Sequence, residues 1–246
     1  MAATPSADMS ELLARRSDLS TFVVHFTRKT HDGKSARQNL KSILRQQTIE
    51  ARTPFGSAFH LLSGRDLASQ HCVSFSETPL EHLHCLTQQI PKRQVRLSSY
   101  GLAFAKMTAR KRGVNPVWYV DITPGHDWLM KPINALIERQ VNKVKKFRNT
   151  QLAKICPFIE QMGSGQKADG YGYQKEFWWE REWRHNGDFS FFWSEIVFGL
   201  CPGDHIAEFE CMKTGGRKVR FVDPKWSLDR IIAHLAGCKT ILTPFD

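Results

Sequence analysis

Apolar residues occur along this chain in short runs with differing periods, and the runs predict a succession of small elements. Thr21-Phe-Val-Val-His-Phe-Thr27 is β-branched and aromatic throughout and predicts a buried strand. After a polar turn, residues 36–46 place Leu40, Ile43 and Leu44 on one helical face. Residues 56–64 read as loop and short helix. Cys72-Val-Ser-Phe-Ser76 reads as a second strand, and 79–89 as a helix opened by Pro79. Short strands are predicted at 100–107 and 116–120 around a basic turn at 109–113, and helical spacing runs over 128–148. Residues 163–172 read as a Gly-rich polar loop. Further elements are predicted at 194–199, 205–211 and 218–222, with a last helix at 228–235. Neither repeat nor linker interrupts the pattern. The prediction is a single mixed α+β domain over 19–246, preceded by a poorly ordered lead-in at 1–18.

Composition narrows the class. The chain has 246 residues, 41% of them hydrophobic, which excludes a wholly disordered protein. No apolar run approaches the length of a membrane span, and charged residues near the N-terminus (Asp8, Glu11, Arg15, Arg16) argue against a signal peptide. Six scattered cysteines without a CxxC pair suggest reduced thiols in a cytoplasmic protein. His71-Cys72 and His82-x-His84-Cys85 match no familiar zinc spacing, so no metal is expected. The net charge is +11, and basic residues recur at 28–29, 92–96, 106–112, 143–148 and 217–220. A folded face that neutralises phosphates fits this distribution better than a basic tail, with Lys106, Arg110, Lys111, Arg112, Lys145 and Lys146 as candidate DNA contacts.

The densest chemistry is Glu176-Phe-Trp-Trp-Glu-Arg-Glu-Trp-Arg184. If 178–183 is a strand, Glu180 and Glu182 project to one face, and carboxylates so close shift each other's pKa unless cations compensate. Such a pair can stabilise a cationic sugar, as glycosyl-bond enzymes do. The plain alternative is a surface strand with Glu–Arg pairs and tryptophans facing a core. His25 and Thr27 share a face of the first predicted strand, and Ser74 and Ser76 share one on the second. Glu77 would help cap the helix that follows. Trp178, Trp179 and Trp183, with 189–193 nearby, are candidate wedges for a base stack.

Together these residues resemble a known arrangement. His-x-Thr on a first strand, Asn39-Leu40 with Ile43-Leu44 on the next helix, and a late Glu-x-Glu are similar to the ADP-ribosyltransferase-like fold, a split sheet with flanking helices. DarT-type DNA ADP-ribosyltransferases and RNA phosphotransferases open in this way. More narrowly, the chain resembles the AbiGi-type abortive-infection family of phage-resistance proteins. The matching residues are Val24-His-Phe-Thr27, Asn39 to Leu44, Cys72 to Leu80, Tyr100 to Lys106, Asn115 to Tyr119, Glu180 to Arg184 and Pro224-Lys-Trp226. It departs at Gln46-Gln47, where related enzymes have glycine.

The resemblance implies antiphage defence through an N-glycosidic bond. The expected activity is a DNA glycosylase that needs no cofactor and excises a modified base from phage DNA, leaving abasic sites. Glu182 would be the main catalytic group, assisted by Glu180 and His25. Thr27, Ser74, Ser76, Arg184 and Trp179 would bind the substrate, and Gln166 and Lys167, with Asp169, would read polar groups on the base. The alternative is a DarT-like enzyme that consumes NAD to modify nucleic acid or protein. A third possibility, of another class, is a non-catalytic antitoxin or binding module.

Overall fold

In the computed structural model, residues 16–30, 32–89, 96–166, 172–212 and 218–238 are described. Their strands are, in chain order, β1 Phe22–Phe26, β2 Thr48–Ile49, β3 Thr53–Pro54, β4 His71–Ser76, β5 Gly101–Ala105, β6 Asn115–Pro116, β7 Trp118–Asp121, β8 Ile159–Gln166, β9 Gly172–Lys175, β10 Glu182–Asn186, β11 Phe189–Ser190, β12 Ile196–Leu200 and β13 Phe221–Val222. The helices are α1 Ala36–Gln46, α2 Gly64–Ala68, α3 Leu83–Thr87, α4 Lys106–Lys111, α5 Met130–Lys143, α6 Gln151–Ile155, α7 Ile206–Glu210 and α8 Leu228–Leu235. The protein is mixed α+β, as the pattern predicts. Two compact units divide it. Among the described residues, one takes those up to 45, within 77–109 and from 192 onward, and the other takes those within 46–76 and 110–191. The chain passes between them repeatedly, so no linker marks their boundary in the sequence.

In the first unit β5 lies between β1 and β12, antiparallel to both, and β13 runs parallel to β12. Phe22, Val23, Val24 and Phe26 are all buried, which is why β1 lacks a polar face. Phe22, Val24 and Phe26 pack with Ala103, Phe198, Leu200 and Val222, against Ile231 of α8. β1 and β5 meet closely at Gly101, where a Cβ would lie 2.5 Å from the His25 carbonyl oxygen. α1 buries Leu40 and Leu44.

In the second unit β4 lies between β3 and β10, and β6 joins the other edge of β10, all antiparallel. β7 and β8 are parallel, connected through α5 and α6, and β9 folds back on β8. One small core gathers Ala58, Ile137, Phe147, Ala153 and Cys156, and another gathers Val120, Met130 and Ile159.

Three expectations are corrected here. The predicted loop at 163–172 is in part a hairpin, with Gly163 opposite Lys175 and Gln166 opposite Gly172. The glycines serve close approach: a Cβ at Gly163 would lie 2.4 Å from the Thr123 hydroxyl, and one at Gly165 2.8 Å from that of Tyr173. The basic turn at 109–113 is largely helix, because α4 runs to Lys111 before Gly113 turns the chain at φ 91°. The helix predicted over 128–148 stops at Lys143. Val144 turns extended, which lets both Val144 and Phe147 reach the same small core.

Candidate functional site

The aromatic-acidic run is not one strand. Trp178–Glu180 forms a 3-10 turn, Arg181 adopts the left-handed conformation at φ 46°, and β10 begins only at Glu182. A left-handed residue between them breaks the alternation that would put Glu180 and Glu182 on one strand face, so the expectation of a single strand over 178–183 is corrected. Glu160 of β8 brings a carboxylate to the same place as Glu182.

Arg184 joins the two. Its side chain is 1% exposed and donates to Glu182 from Nε (2.9 Å) and Nη2 (2.7 Å). The same Nη2 donates to Glu160 (2.6 Å), and Nη1 donates to the Pro157 carbonyl oxygen (2.6 Å). The guanidinium carbon also sits 4.3 Å from the centre of the Phe55 ring. Ser74, opposite Arg184 in the register of β4 and β10, donates its hydroxyl to Glu182 at 2.6 Å. Lys175 of β9 completes the group by pairing with Glu160. Two carboxylates thus meet two cations, and each buried charge has its partner.

The electrostatics follow from this arrangement. Burial pushes the Glu160 carboxyl up, but Arg184 and Lys175 outweigh it and hold the group below its ordinary value. Burial disfavours the Arg184 charge, yet Glu182 and Glu160 raise its pKa further above an already high value. Burial, then Glu182, push the Tyr119 phenol up, so it remains a neutral hydroxyl. From the sequence, Tyr119 and Trp118 beside it, whose exposure is 49%, have no site role and fall only within the matching stretch Asn115 to Tyr119. The Val117 amide donates to the Glu182 carbonyl oxygen at 2.9 Å, which brings this segment alongside the start of β10. A strand read only for its length hides that connection.

The other expected site residues divide. Arg184 is 1% exposed, and its Nε, Nη1 and Nη2 all donate inside the protein. Thr27 is 4% exposed and donates to the carbonyl oxygens of Ala36 and Tyr100, so it fastens the chain after β1. Ser76 is buried opposite Glu182 in the register. His25, half-buried on β1, belongs to the first unit, whereas Ser74, Glu182 and Arg184 belong to the second. Glu180 is half-buried, while Trp178 and Trp179 are exposed. Of the other proposed wedges, Phe189 and Phe191 are core residues. Lys167 and Asp169 lie outside the described residues, and Gln166 ends β8.

Among the candidate DNA contacts, Lys106 is bound to buried Glu77 at 2.7 Å. Arg110, Lys111, Lys145 and Lys146 are exposed and Arg112 is half-buried. Among the described residues no three His, Cys, Asp or Glu side chains are grouped to hold a metal ion. No described helix is long and apolar enough to cross a membrane.

A family model described as "Putative abortive phage resistance protein AbiGi, antitoxin" matches residues 41–208, well over half of the chain. The chain belongs to the AbiGi family. The matched span includes Ser74, Glu160, Lys175, Glu182 and Arg184, whereas His25 and Thr27 precede it. No curated protein and no solved structure matches the chain. AbiGi membership gives the protein a role in phage resistance, and the charged centre of its second unit lies wholly within the family's own span.

Proposed function

We propose that this AbiGi-family protein resists phage by breaking the N-glycosidic bond between a modified base and its deoxyribose in phage DNA. The observation that carries the reading is the mooring of Glu182. A carboxylate that meets a developing sugar cation must not reorient as charge appears. Arg184 and Ser74 fix Glu182 in that way, and its side chain keeps 16% exposure. In the reaction, the bond from C1′ to the base nitrogen breaks with its electron pair going to the base, which takes up a proton. Water adds to C1′ and releases a proton, leaving an abasic site. Glu182 acts as fixed negative charge, and Glu180 on the preceding turn adds to it. The exposed rings of Trp178 and Trp179 offer a stacking surface for an extruded base.

The test is to treat modified and unmodified genomes of one phage with the protein, with and without NAD. Abasic sites confined to modified DNA, independent of NAD and absent with Glu182→Gln, are expected. Mass added to DNA together with NAD consumption would replace this reading by ADP-ribosyl transfer.

A second reading, a non-catalytic antitoxin, is favoured by the family's description and by the engagement of both Glu182 oxygens inside the protein. Glu182 would then be a structural brace. Undiminished protection from phage by Glu182→Gln, with no abasic sites from either form, decides for the antitoxin.

A further inference from the structure

The basic clusters of the sequence meet different fates in the structure. Lys106 is bound to Glu77, Lys218 and Arg220 face Glu210, and Arg37 and Lys41 share Glu208. The stretch from the end of α5 to α6 is different. Residues 138–154 contain six cations and one carboxylate, Glu138. Arg148 is spent on Asp66 at 3.0 Å. Arg139, Lys143, Lys145, Lys146 and Lys154 are all exposed, and among the described residues none of these side chains is paired with a carboxylate.

The inner side of this stretch is pinned. Ile137, Val141, Val144, Phe147, Leu152 and Ala153 pack into one core with Ala58 and Cys156. Thr150 caps α6 by accepting from the Ala153 amide at 3.1 Å. The cations therefore project from a fixed arc, and Arg139 and Lys143 stand one helical turn apart as like charges, an arrangement that is unfavourable by itself. A row of phosphates removes that penalty. Exposed Asn142, Asn149 and Gln151 lie between the cations and supply amide donors of the kind that bind phosphate oxygens.

We infer that the arc 139–154 is the surface along which a nucleic-acid backbone lies, contacted through phosphate and without regard to base sequence. The inference rests on the reading of DNA as the molecule acted on. Four lysines dominate the arc. They are point charges that suit sequence-independent backbone contact.

The experiment measures binding of the full chain to an unmodified DNA duplex across a salt series. It compares the wild type with a variant carrying Lys143→Ala, Lys145→Ala, Lys146→Ala and Lys154→Ala, and with the matching Lys→Arg variant. Each lost contact lowers the slope of log K against log salt by ~0.9, so the alanine variant is expected to lose ~3 to 4 from the slope and on the order of 100-fold in affinity. The arginine variant should bind as the wild type does. Wild-type binding with the slope unchanged in the alanine variant overturns the inference and leaves the DNA reading standing. No wild-type binding at low salt overturns both. Polyglutamate held as tightly as DNA, and released by the same substitutions, overturns the choice of nucleic acid in favour of an acidic protein.

Discussion

Arg184 grips Glu182 at both carboxylate oxygens, at 2.9 and 2.7 Å, from only two residues away on the same strand. Residues i and i+2 of a strand share a face, so this fork is built into β10. The Arg184 bond to Glu160, by contrast, spans 24 residues and exists only because β8 is brought to the same place.

Arg184→Ala should therefore be severe. It leaves the largely buried Glu160 to Lys175 and takes the cation from the largely buried Glu182, which keeps the Ser74 hydroxyl. Removal of one partner from a buried ion pair costs about 3–5 kcal/mol. Arg184→Lys keeps the charge but loses the fork, and should fall between Arg184→Ala and the wild type. Urea unfolding measures all three. A midpoint for Arg184→Ala equal to that of the wild type would show that the network contributes nothing.

Acid should weaken the protein through Glu160 and Glu210. Burial raises the Glu210 carboxyl, but the Phe221 amide, Lys218 and His234 lower it further, so both groups sit below their ordinary value when folded. A carboxyl whose folded pKa is depressed contributes stability that is full above its unfolded value near 4.5 and is lost as pH falls through the folded value. Unfolding free energy should thus be level between pH 7 and 5.5 and drop below about pH 4.5. Lys175→Met, which removes one cation from Glu160, should make the acid limb shallower. Stability that holds level down to pH 3 contradicts this account.

The left-handed Arg181 predicts an unusual pattern of tolerance. Glycine adopts φ 46° without penalty, so Arg181→Gly should match the wild type to within about 1 kcal/mol. Arg181→Val places a β-branched residue there and should cost about 1–3 kcal/mol. Thermal melts rank the three proteins. Valine equal to glycine would mean that the turn relaxes.

Thiol reactivity should split the cysteines into two groups. Cys85, Cys211 and Cys238 are exposed. Cys72, Cys156 and Cys201 are buried, and burial pushes their thiols up to about 12, about 11 and about 12. A thiol reagent such as Ellman's should modify three groups quickly in the native protein and six in denaturant. A fourth thiol reacting as fast as the exposed three would contradict the burial of one of the others.

Several elements were legible in the sequence because one local signal set them. α1 and α8 follow the predicted bounds, since helical spacing and the chain's own turns define them. β1 and β4 lie within a residue of theirs, marked by dense β-branched and aromatic residues. Gln47, where the ADP-ribosyltransferase-like pattern that the chain resembles has glycine, follows α1 in the left-handed conformation at φ 51°, a position that glycine fills easily. The substitution is visible in the sequence, but the conformation it occupies is not.

The sequence by itself determined the α+β class, the basic surplus, and the density of charged and aromatic residues around Glu182, because composition and short-range alternation carry those properties. It also placed Glu180 on one strand with Glu182, since alternation presumes an extended backbone and takes no account of the turn at Arg181. Only the tertiary structure decided which charges meet. Glu160 reaches Arg184 through the approach of β8 to β10, and Lys175 reaches Glu160 through the pairing of β8 with β9, contacts that no local pattern announces. The same selection separated cations spent on carboxylates, such as Lys106, from those left exposed, such as Lys145. Charge is written residue by residue, but its neutralisation depends on distance, and distance is set by the fold.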